Sequence, residues 1–407
     1  MPSRRAFLSG LGAAGLTATA GCLTRFDAAP GDDETYDWPS GGGDDLNSRA
    51  VPNGVAPRHD PTVDRTHEFD GIPAGDPVVT DETVLLNIGV DVVALDRGDL
   101  SRRWAVALDD NSAFRYTGAP AVADGVAYVP ESDTLVARDL DTGERLWSRE
   151  FEYVFGETTP LVVDRGDDHR VVIGAGEYLR AFDGSTGELQ WERRLGGIVR
   201  RAAAHSLASV YGVVYAATAG GELYAVDDDG RVHWNRTVDA GIRTPPTVVG
   251  SRGSDDESIR GSGDVVVGAG DGSVRCFDPT GKPRWRADLR GFAEGGIAAG
   301  HGGVFAVSAG RLYGLNAENG NQAWRTGIGN AVRPTPPALV GDTIYVGGER
   351  LHGVGVGGGV GVRSVRVGET RFEREVDGGA SYVTAADGRL FATVAAESGS
   401  GRLVVLS

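Results

Sequence analysis

The stretch DTGERLWSRE, residues 141–150, decides the fold of this 407-residue chain. It places a tryptophan four positions after a glycine, and the same spacing returns in STGELQWERR (185–194) and PTGKPRWRAD (279–288). Asp or Asn followed by Thr-Gly is typical of a hairpin turn in which the glycine is left-handed. A flat indole just beyond that turn can enter between two sheets, bury most of its area and donate its N–H to a neighbouring carbonyl. We therefore predict that the phrase is a structural latch and not a ligand platform.

The latch repeats along the chain with a period in the low forties. From Trp104 onward, successive tryptophans are 43, 44, 43, 51 and 39 residues apart, and a phenylalanine takes the place in the next copy. The predicted latch residues are Trp104, Trp147, Trp191, Trp234, Trp285, Trp324 and Phe372. Trp104 lies six residues after Gly98, which we read as a looser version of the same spacing. Each repeat also has an apolar hairpin and a third strand. The third strand ends in small-x-Asp in the first five repeats, as in 137–139, and this ending degrades to Gly-Leu-Asn at 314–316 and Ser-Val-Arg at 364–366. This period is the signature of propeller blades, each a four-stranded antiparallel sheet.

Eight segments read as third strands, so the sequence predicts eight blades. They lie at 91–96, 134–139, 178–183, 222–227, 273–278, 311–316, 361–366 and 402–407. No outer strand follows the last segment, but DRTHEFDG (64–71) offers one, with His67 in the tryptophan position. Closing the ring in this way removes the exposed edges of an open sheet. We predict an all-β chain with a single, monomeric eight-bladed β-propeller at 64–407, closed by pairing of its N-terminal strand with the C-terminal blade.

The first 22 residues read as an export signal. Arg4 and Arg5, followed by Phe7 and Leu8, resemble a twin-arginine signal, and TAGC resembles a lipobox that ends at Cys22. The apolar stretch between them is too short and too rich in Gly and Ala for a good membrane span. We expect lipidation of Cys22 and a place on the extracytoplasmic face of the cell membrane; the alternative is an uncleaved N-terminal anchor helix. Residues 23–35 then read as an acidic flexible tether.

The composition excludes one class of partner. The formal net charge is −17, which argues against nucleic acid because its phosphates need a basic face. Lys282 is the only lysine, and a chain rich in acid and almost free of lysine is typical of proteins that stay soluble in concentrated salt. A GC-rich genome would explain the missing lysine but not the excess of acid, so we predict a halophilic protein.

The repeat of Ala-x-Asp, Thr-Gly and Trp resembles the PQQ-like, or quinoprotein-type, β-propeller family over residues 64–407. YDWPSGGGDDLNS (36–48) is similar to the segment that precedes the first blade in many members, which implies an ordered strap over 36–63. The family contains quinone-dependent dehydrogenases and non-enzymatic lipoproteins such as the outer-membrane assembly scaffold. In the enzymes, the resemblance implies a quinone between a Trp floor and a vicinal disulfide, with Ca²⁺ beside it. This chain has no vicinal cysteines, and the latches use every tryptophan except Trp38.

We therefore expect no cofactor, no metal site and no catalytic residue. The seven histidines show no metal-ligand spacing, and Cys276 takes a small-residue position where packing is its expected role. One set of residues is less ordinary: arginines precede the innermost strands, at Arg115, Arg201, Arg243 and Arg333. They are a candidate anion site at the channel mouth, with salt-bridged loops as the alternative. The predicted function is a membrane-anchored module that binds a protein or glycan partner; the alternative is a reduced PQQ- and Ca²⁺-dependent oxidoreductase.

Overall fold

The computed structural model describes residues 26, 28–71, 73–107, 118–152, 158–164, 168–199, 204–206, 213–249, 263–293, 295–329, 335–359, 361–362, 365–395 and 400–407. Every regular element in these ranges is a β-strand. The strands form eight sheets with four antiparallel strands each, one of which gains a fifth, parallel strand, and a separate two-stranded ribbon. The predicted all-β, eight-bladed propeller is confirmed.

Two short strands precede the first complete blade: β1 (Ala50–Val51) and β2 (Val63–Phe69). Blade 1 contains β3 (Val78–Val79), β4 (Thr83–Ile88), β5 (Asp91–Asp96) and β6 (Arg102–Ala107). Blade 2 contains β7 (Ala121–Ala123), β8 (Val126–Glu131), β9 (Thr134–Asp139) and β10 (Arg145–Glu150). Blade 3 contains β11 (Leu161–Asp164), β12 (His169–Ala175), β13 (Tyr178–Asp183) and β14 (Leu189–Arg194). Blade 4 contains β15 (Ala204–Ser206), β16 (Val213–Ala217), β17 (Glu222–Asp227) and β18 (Val232–Thr237).

Blade 5 contains β19 (Thr247–Val248), β20 (Val265–Gly268), β21 (Ser273–Phe277) and β22 (Pro283–Asp288). Blade 6 contains β23 (Ile297–Gly300), β24 (Gly303–Ser308), β25 (Arg311–Asn316) and β26 (Gln322–Gly327). Blade 7 contains β27 (Ala338–Val340), β28 (Thr343–Val346), β29 (Leu351–Gly355) and β32 (Glu369–Arg374), and the ribbon β30 (Gly361–Val362) and β31 (Val365–Arg366) precedes its outer strand. Blade 8 contains β33 (Gly379–Ala386), β34 (Arg389–Ala395), β35 (Gly401–Leu406) and, as its outer strand, β2.

The ring closes through the pairing of β2 with β35. The two strands are antiparallel, with His67 opposite Leu403, and Thr62 and Ser407 exchange two backbone hydrogen bonds beyond the strand ends. The first strand of each blade lies innermost, and the inner strands of blades 8 and 1 are in contact, so the ring is complete. The predicted closure of the C-terminal blade by an N-terminal strand is confirmed.

The closing strand has a different register from the one that the sequence indicated. In blades 1 to 6 a bulge lies next to the tryptophan, which faces the small residue of the third strand, as Trp147 faces Ala137. The matching bulge in blade 8 lies between Val63 and Arg65, and Arg65 faces Val405. Arg65 therefore occupies the tryptophan position, and the placement of His67 there is wrong by two residues.

Two further assignments are corrected by the hairpins between third and outer strands. The third strand of blade 7 is β29 and not 361–366, which instead forms the ribbon inside an enlarged hairpin. In blade 1 the left-handed residue of this hairpin is Leu100, with φ of +60°, and not Gly98. Trp104 thus keeps the four-residue spacing from the left-handed position.

A strap made of residues 36–58 runs inside the ring, across the inner strands. Trp38 exchanges two backbone hydrogen bonds with Val79 of blade 1, and the Leu46 carbonyl accepts from Val248 of blade 5. Its last part, β1, then adds in parallel to β27 of blade 7. The strap thus fills part of the central channel and touches the inner strands of blades 1, 2, 5, 6 and 7 through Trp38, Pro39, Leu46, Ser48 and Arg49.

Candidate functional site

The propeller has two faces with different construction. We call one the turn face, because it carries the hairpins that join the first to the second strand and the third to the outer strand of each blade. The other is the link face, which carries the remaining hairpins and the links from one blade to the next.

The latch residues lie between blades. The indole N–H of Trp147 in blade 2 donates to the Gly184 carbonyl of blade 3 at 2.8 Å, and its ring lies flat against Gly187. Gly187 has φ of +67°, and a Cβ there would lie 2.5 Å from Cδ2 of Trp147. The glycine therefore serves two purposes, because it turns the chain and leaves space for the indole of the preceding blade.

The same contact recurs around the ring. The tryptophan–glycine pairs are Trp104–Gly143, Trp191–Gly230, Trp234–Gly281, Trp285–Gly320 and Trp324–Gly358. In four of these five pairs the indole N–H donates to a carbonyl of the next blade, at Leu140, Pro279, Ala317 and Val356. The N–H of Trp191 is buried and has no hydrogen-bond partner among the described residues.

Phe372 occupies the tryptophan position of blade 7, but no glycine among the described residues of the next blade lies against its ring. Its ring lies against Gly353 of its own blade and 6.2 Å from the ring of Tyr345. It belongs to the largest apolar cluster, which joins blades 7, 8 and 1 across the closure. The latches thus hold sheets together, and a large aromatic side chain placed in this way is not available to a ligand.

A buried ion pair fixes the strap in the channel. The guanidinium of Arg49 binds both carboxylate oxygens of Asp76, at 2.7 and 3.0 Å, and also donates to the Pro337 carbonyl. Burial raises the pKa of Asp76, while the charge and hydrogen bonds of Arg49 oppose that shift. Breaking this pair would leave an uncompensated charge in the interior.

A cleft of about 340 Å³ remains where the strap passes blades 2 and 3. Its lining includes four carboxylates and one imidazole: Asp44, Asp45, Asp124, Asp164 and His169. Nδ1 of His169 lies 3.1 Å from the Asp124 carboxylate, and Nε2 is hydrogen-bonded to the hydroxyl of Tyr128. Burial first, and then the charges of Asp124 and Asp183, raise the pKa of Tyr128, which donates to the Gly184 carbonyl. The same carbonyl also accepts the hydrogen bond from the Trp147 indole. The His169 network therefore supports a latch, and the raised pKa of the Tyr128 hydroxyl means that it is not an activated nucleophile.

Of the four arginines in the predicted anion site, the structure describes Arg243, which lies on the link face. Arg243 is exposed, and its guanidinium carbon lies 5.5 Å from the ring centroid of Phe292, which is itself 50% exposed. Ile198 is 46% exposed on the same face. The other three predicted residues, Arg115, Arg201 and Arg333, lie outside the described residues, as do Arg4, Arg5 and Cys22. A ring of arginines at the channel mouth therefore stays a prediction.

The cleft beside the strap does not fit the quinone of the dehydrogenases. The cleft beside the strap is lined by carboxylates, which repel a polycarboxylate quinone. Trp38 is fully buried, with its ring against Gly43 and the Arg49 guanidinium 5.8 Å from its centroid. Burial raises the pKa of the Cys276 thiol, which packs between blades 5 and 6. Within the described ranges, no group of three His, Cys, Asp or Glu side chains is placed to hold a metal ion.

Comparison with known proteins places these repeated blades in a family. A family model described as outer membrane protein assembly factor BamB matches residues 66–199, 175–262 and 258–407. The chain belongs to this BamB family of PQQ-like propellers. The protein of that name from Bordetella pertussis is 28% identical over 254 residues, which cover 59% of this chain and 62% of the relative. The match therefore spans less than two thirds of the relative's length.

Solved structures support the fold. The crystal structure of BamB from Moraxella catarrhalis aligns with a TM-score of 0.62 at 18% identity, over 86% of this chain and 98% of that one. Quinohemoprotein alcohol dehydrogenase from Comamonas testosteroni aligns with a TM-score of 0.69 at 15% identity, over 92% and 81%. The resemblance to PQQ-like propellers is confirmed, and at these identities the structural likeness shows the fold alone. None of the described residues belongs to a helix long and apolar enough to cross a bilayer.

Proposed function

We propose that this chain is an exported, lipid-anchored propeller that binds a protein partner through its link face and uses no cofactor. Membership of the BamB family supports a scaffold, since its model is described as that of an assembly factor. The expected signal at Arg4 and Arg5 and the expected lipid at Cys22 support a place on the extracytoplasmic face of a membrane. The lack of fit to a quinone supports a binding role over a redox role.

The Arg243–Phe292 pair is the observation that carries the partner site. An arginine stacked on a half-exposed aromatic ring combines the residue types that are enriched where binding energy concentrates. Ile198 adds exposed apolar area on the same face. The turn face differs, because its aspartates already cap their own hairpins. For example, the Asp139 carboxylate accepts from the Thr142 amide and hydroxyl, which hold its pKa below the ordinary range.

A photo-crosslinking amino acid at position 292, in the native membrane, tests this proposal. We expect one dominant protein adduct, and we expect Arg243→Ala to weaken partner binding by tenfold or more, as roughly 2 kcal/mol at a binding hot spot implies. Leu189 is the matched control, because it is 49% exposed on an outer strand, away from the link face. Equal adducts at 189 and 292 would refute a specific link-face site, and an adduct with a sugar polymer would favour the glycan alternative.

The oxidoreductase alternative has one observation in its favour, the shared fold with a quinohemoprotein alcohol dehydrogenase. Its test is addition of PQQ with Ca²⁺ to the purified protein. A new absorbance band that co-purifies with the chain, together with dye reduction that depends on an alcohol or sugar, would replace the scaffold proposal. We expect neither.

A further inference from the structure

The anchored end of the chain approaches the propeller over one face only. The ring of Phe26 is buried and meets Phe305 of blade 6 edge to face, with centroids 5.5 Å apart. Phe305 is the third residue of β24, which begins directly after a turn-face hairpin. Further along, Gly31 lies against Gly341, in the first hairpin of blade 7. Residues 26 and 28–35 thus cross the turn face before the chain enters the channel.

The distance from Phe26 to the expected lipid is short. Cys22 precedes Phe26 by four residues, which span at most about 14 Å even when fully extended. To bring the lipid to the link face, the chain would cross two more strands of blade 6, about 10 Å at ~4.8 Å each, and then descend about 10 Å along the blade. That path of about 20 Å exceeds the reach of four residues, whereas the turn-face surface beside Phe26 lies within it.

We propose that the turn face of blades 6 and 7 is held against the lipid surface, so that the link face and its Arg243–Phe292 pair point away from the membrane. This orientation rests on the lipid at Cys22 that is part of the proposed function. The chemistry of the turn face suits a hydrated contact with headgroups and not insertion. Its hairpins are polar: the Asn316 side chain accepts from the amides of Glu318 and Asn319, and both residues are exposed.

The orientation is measurable by energy transfer from a dye on the protein to an acceptor lipid. Cys276→Ala provides the background, since alanine fills the same position in other blades. Glu318→Cys places the dye on the turn face of blade 6, and Glu349→Cys places it on the link face of blade 7. The two changes are matched, because both residues are exposed glutamates and each change removes one negative charge. The labelled full-length proteins are purified from native membranes and reconstituted into phosphatidylglycerol-containing vesicles.

We expect higher transfer from position 318, since a six-residue strand separates the two faces by about 20 Å. Titration of free thiols in the Cys276→Ala parent tests the anchor separately. A reactive thiol at Cys22 would overturn the lipid anchor and, with it, the orientation. If Cys22 is blocked and the protein is bound to the vesicles, equal transfer from both positions, or higher transfer from 349, would overturn the orientation alone.

A further variant tests whether Phe26 holds the anchored end of the chain to blade 6, a role that we call the clamp. Phe26→Ala should release the chain back to Gly31, lengthen the effective tether and reduce the difference in transfer between the two positions. The unfolding transition of the propeller should change little, because the substitution lies outside the blades. A loss of the difference in transfer supports the clamp, and an unchanged difference would show that Phe26 does not hold the anchored end to blade 6.

Discussion

The indole hydrogen bonds predict a difference between two latches that look the same in the sequence. Trp324 is fully buried, and its N–H donates to the Val356 carbonyl at 2.9 Å. Trp191 is partly exposed, and its buried N–H has no partner. Phenylalanine keeps the six-membered ring but removes the N–H, and Phe372 shows that this position accepts it in blade 7. Trp324→Phe and Trp191→Phe therefore separate the hydrogen bond from the ring contact.

The expected costs follow from these contacts. Trp324→Phe loses a hydrogen bond, about 1 kcal/mol, and leaves a buried carbonyl without its donor. It also loses roughly 40 Å² of apolar contact at ~25 cal/mol per Å², about 1 kcal/mol more. The total is about 2–3 kcal/mol. Trp191→Phe removes an unsatisfied donor, which offsets the lost area, so we expect a change within about 1 kcal/mol.

Urea unfolding followed by far-ultraviolet circular dichroism, at one high salt concentration, measures both free energies of unfolding. The unchanged slope of free energy against urea serves as the control that both variants unfold from the same compact state. Equal destabilisation by the two substitutions, or a larger effect at Trp191, would refute the assignment of energy to the indole hydrogen bond.

Substitutions also test three further contacts. Gly187→Ala should reduce the free energy of unfolding by about 2–5 kcal/mol, because it adds strain at φ of +67° and a clash with Trp147. Its control is Gly125→Ala, at φ of +73° with no atom within 4 Å of the added carbon, which should cost about 1–2 kcal/mol. Equal losses of stability in thermal melts would contradict the latch geometry. Arg49→Met should reduce the free energy of unfolding by about 3–5 kcal/mol, because it leaves the Asp76 carboxylate buried without its partner. Adding Asp76→Asn removes that buried charge and should recover part of the lost stability. A double variant no more stable than Arg49→Met would argue against the ion pair. Burial opposes ionisation of Asp342, but hydrogen bonds and charge from Arg371 and Arg58 outweigh it and lower its pKa to about 2. The stability that the ionised Asp342 contributes is present above about pH 4 and lost as the pH falls towards 2. The difference in free energy of unfolding between wild type and Arg371→Met should therefore narrow over that range. A constant difference in acid titrations would show that the ionisation of Asp342 is not its source.

The sequence predicted those parts of the fold in which one local rule repeats. A left-handed turn residue followed at four positions by a large ring is a short-range pattern, and it located six tryptophans and the blade count. The pattern failed where the incoming side chain changed. Leu100 replaces glycine in blade 1, where the preceding blade presents Arg65 and not an indole, so the glycine rule pointed to Gly98 instead.

The parts that sequence could not predict depend on contacts between distant residues. Arg49 and Asp76 are not near one another in any local pattern, and only the strap's path through the channel makes them partners. The contact of Arg243 with Phe292 of the next link is a second example, because no local pattern of the sequence pairs these two residues. Link segments carry no repeated spacing, because their side chains are selected for what they meet and not for the turn they make.

Under the proposed function, the closure of the ring bears on the route by which the chain is exported. The pairing of β2 with β35 joins residues near the start of the propeller to the last residues of the chain, including Thr62 with Ser407. Such a distant pairing forms only after β35 has been made, and the entropy of closing so long a loop makes it a late step. Until then, the edge of β35 stays open to other chains. A route that exports folded proteins, which the proposed twin-arginine signal at Arg4 and Arg5 would provide, allows the ring to close before the membrane is crossed. The strap joins the closing strand to the end that we propose is lipid-anchored, so in this proposal a closed ring already holds Phe26 on the turn face when the lipid is attached.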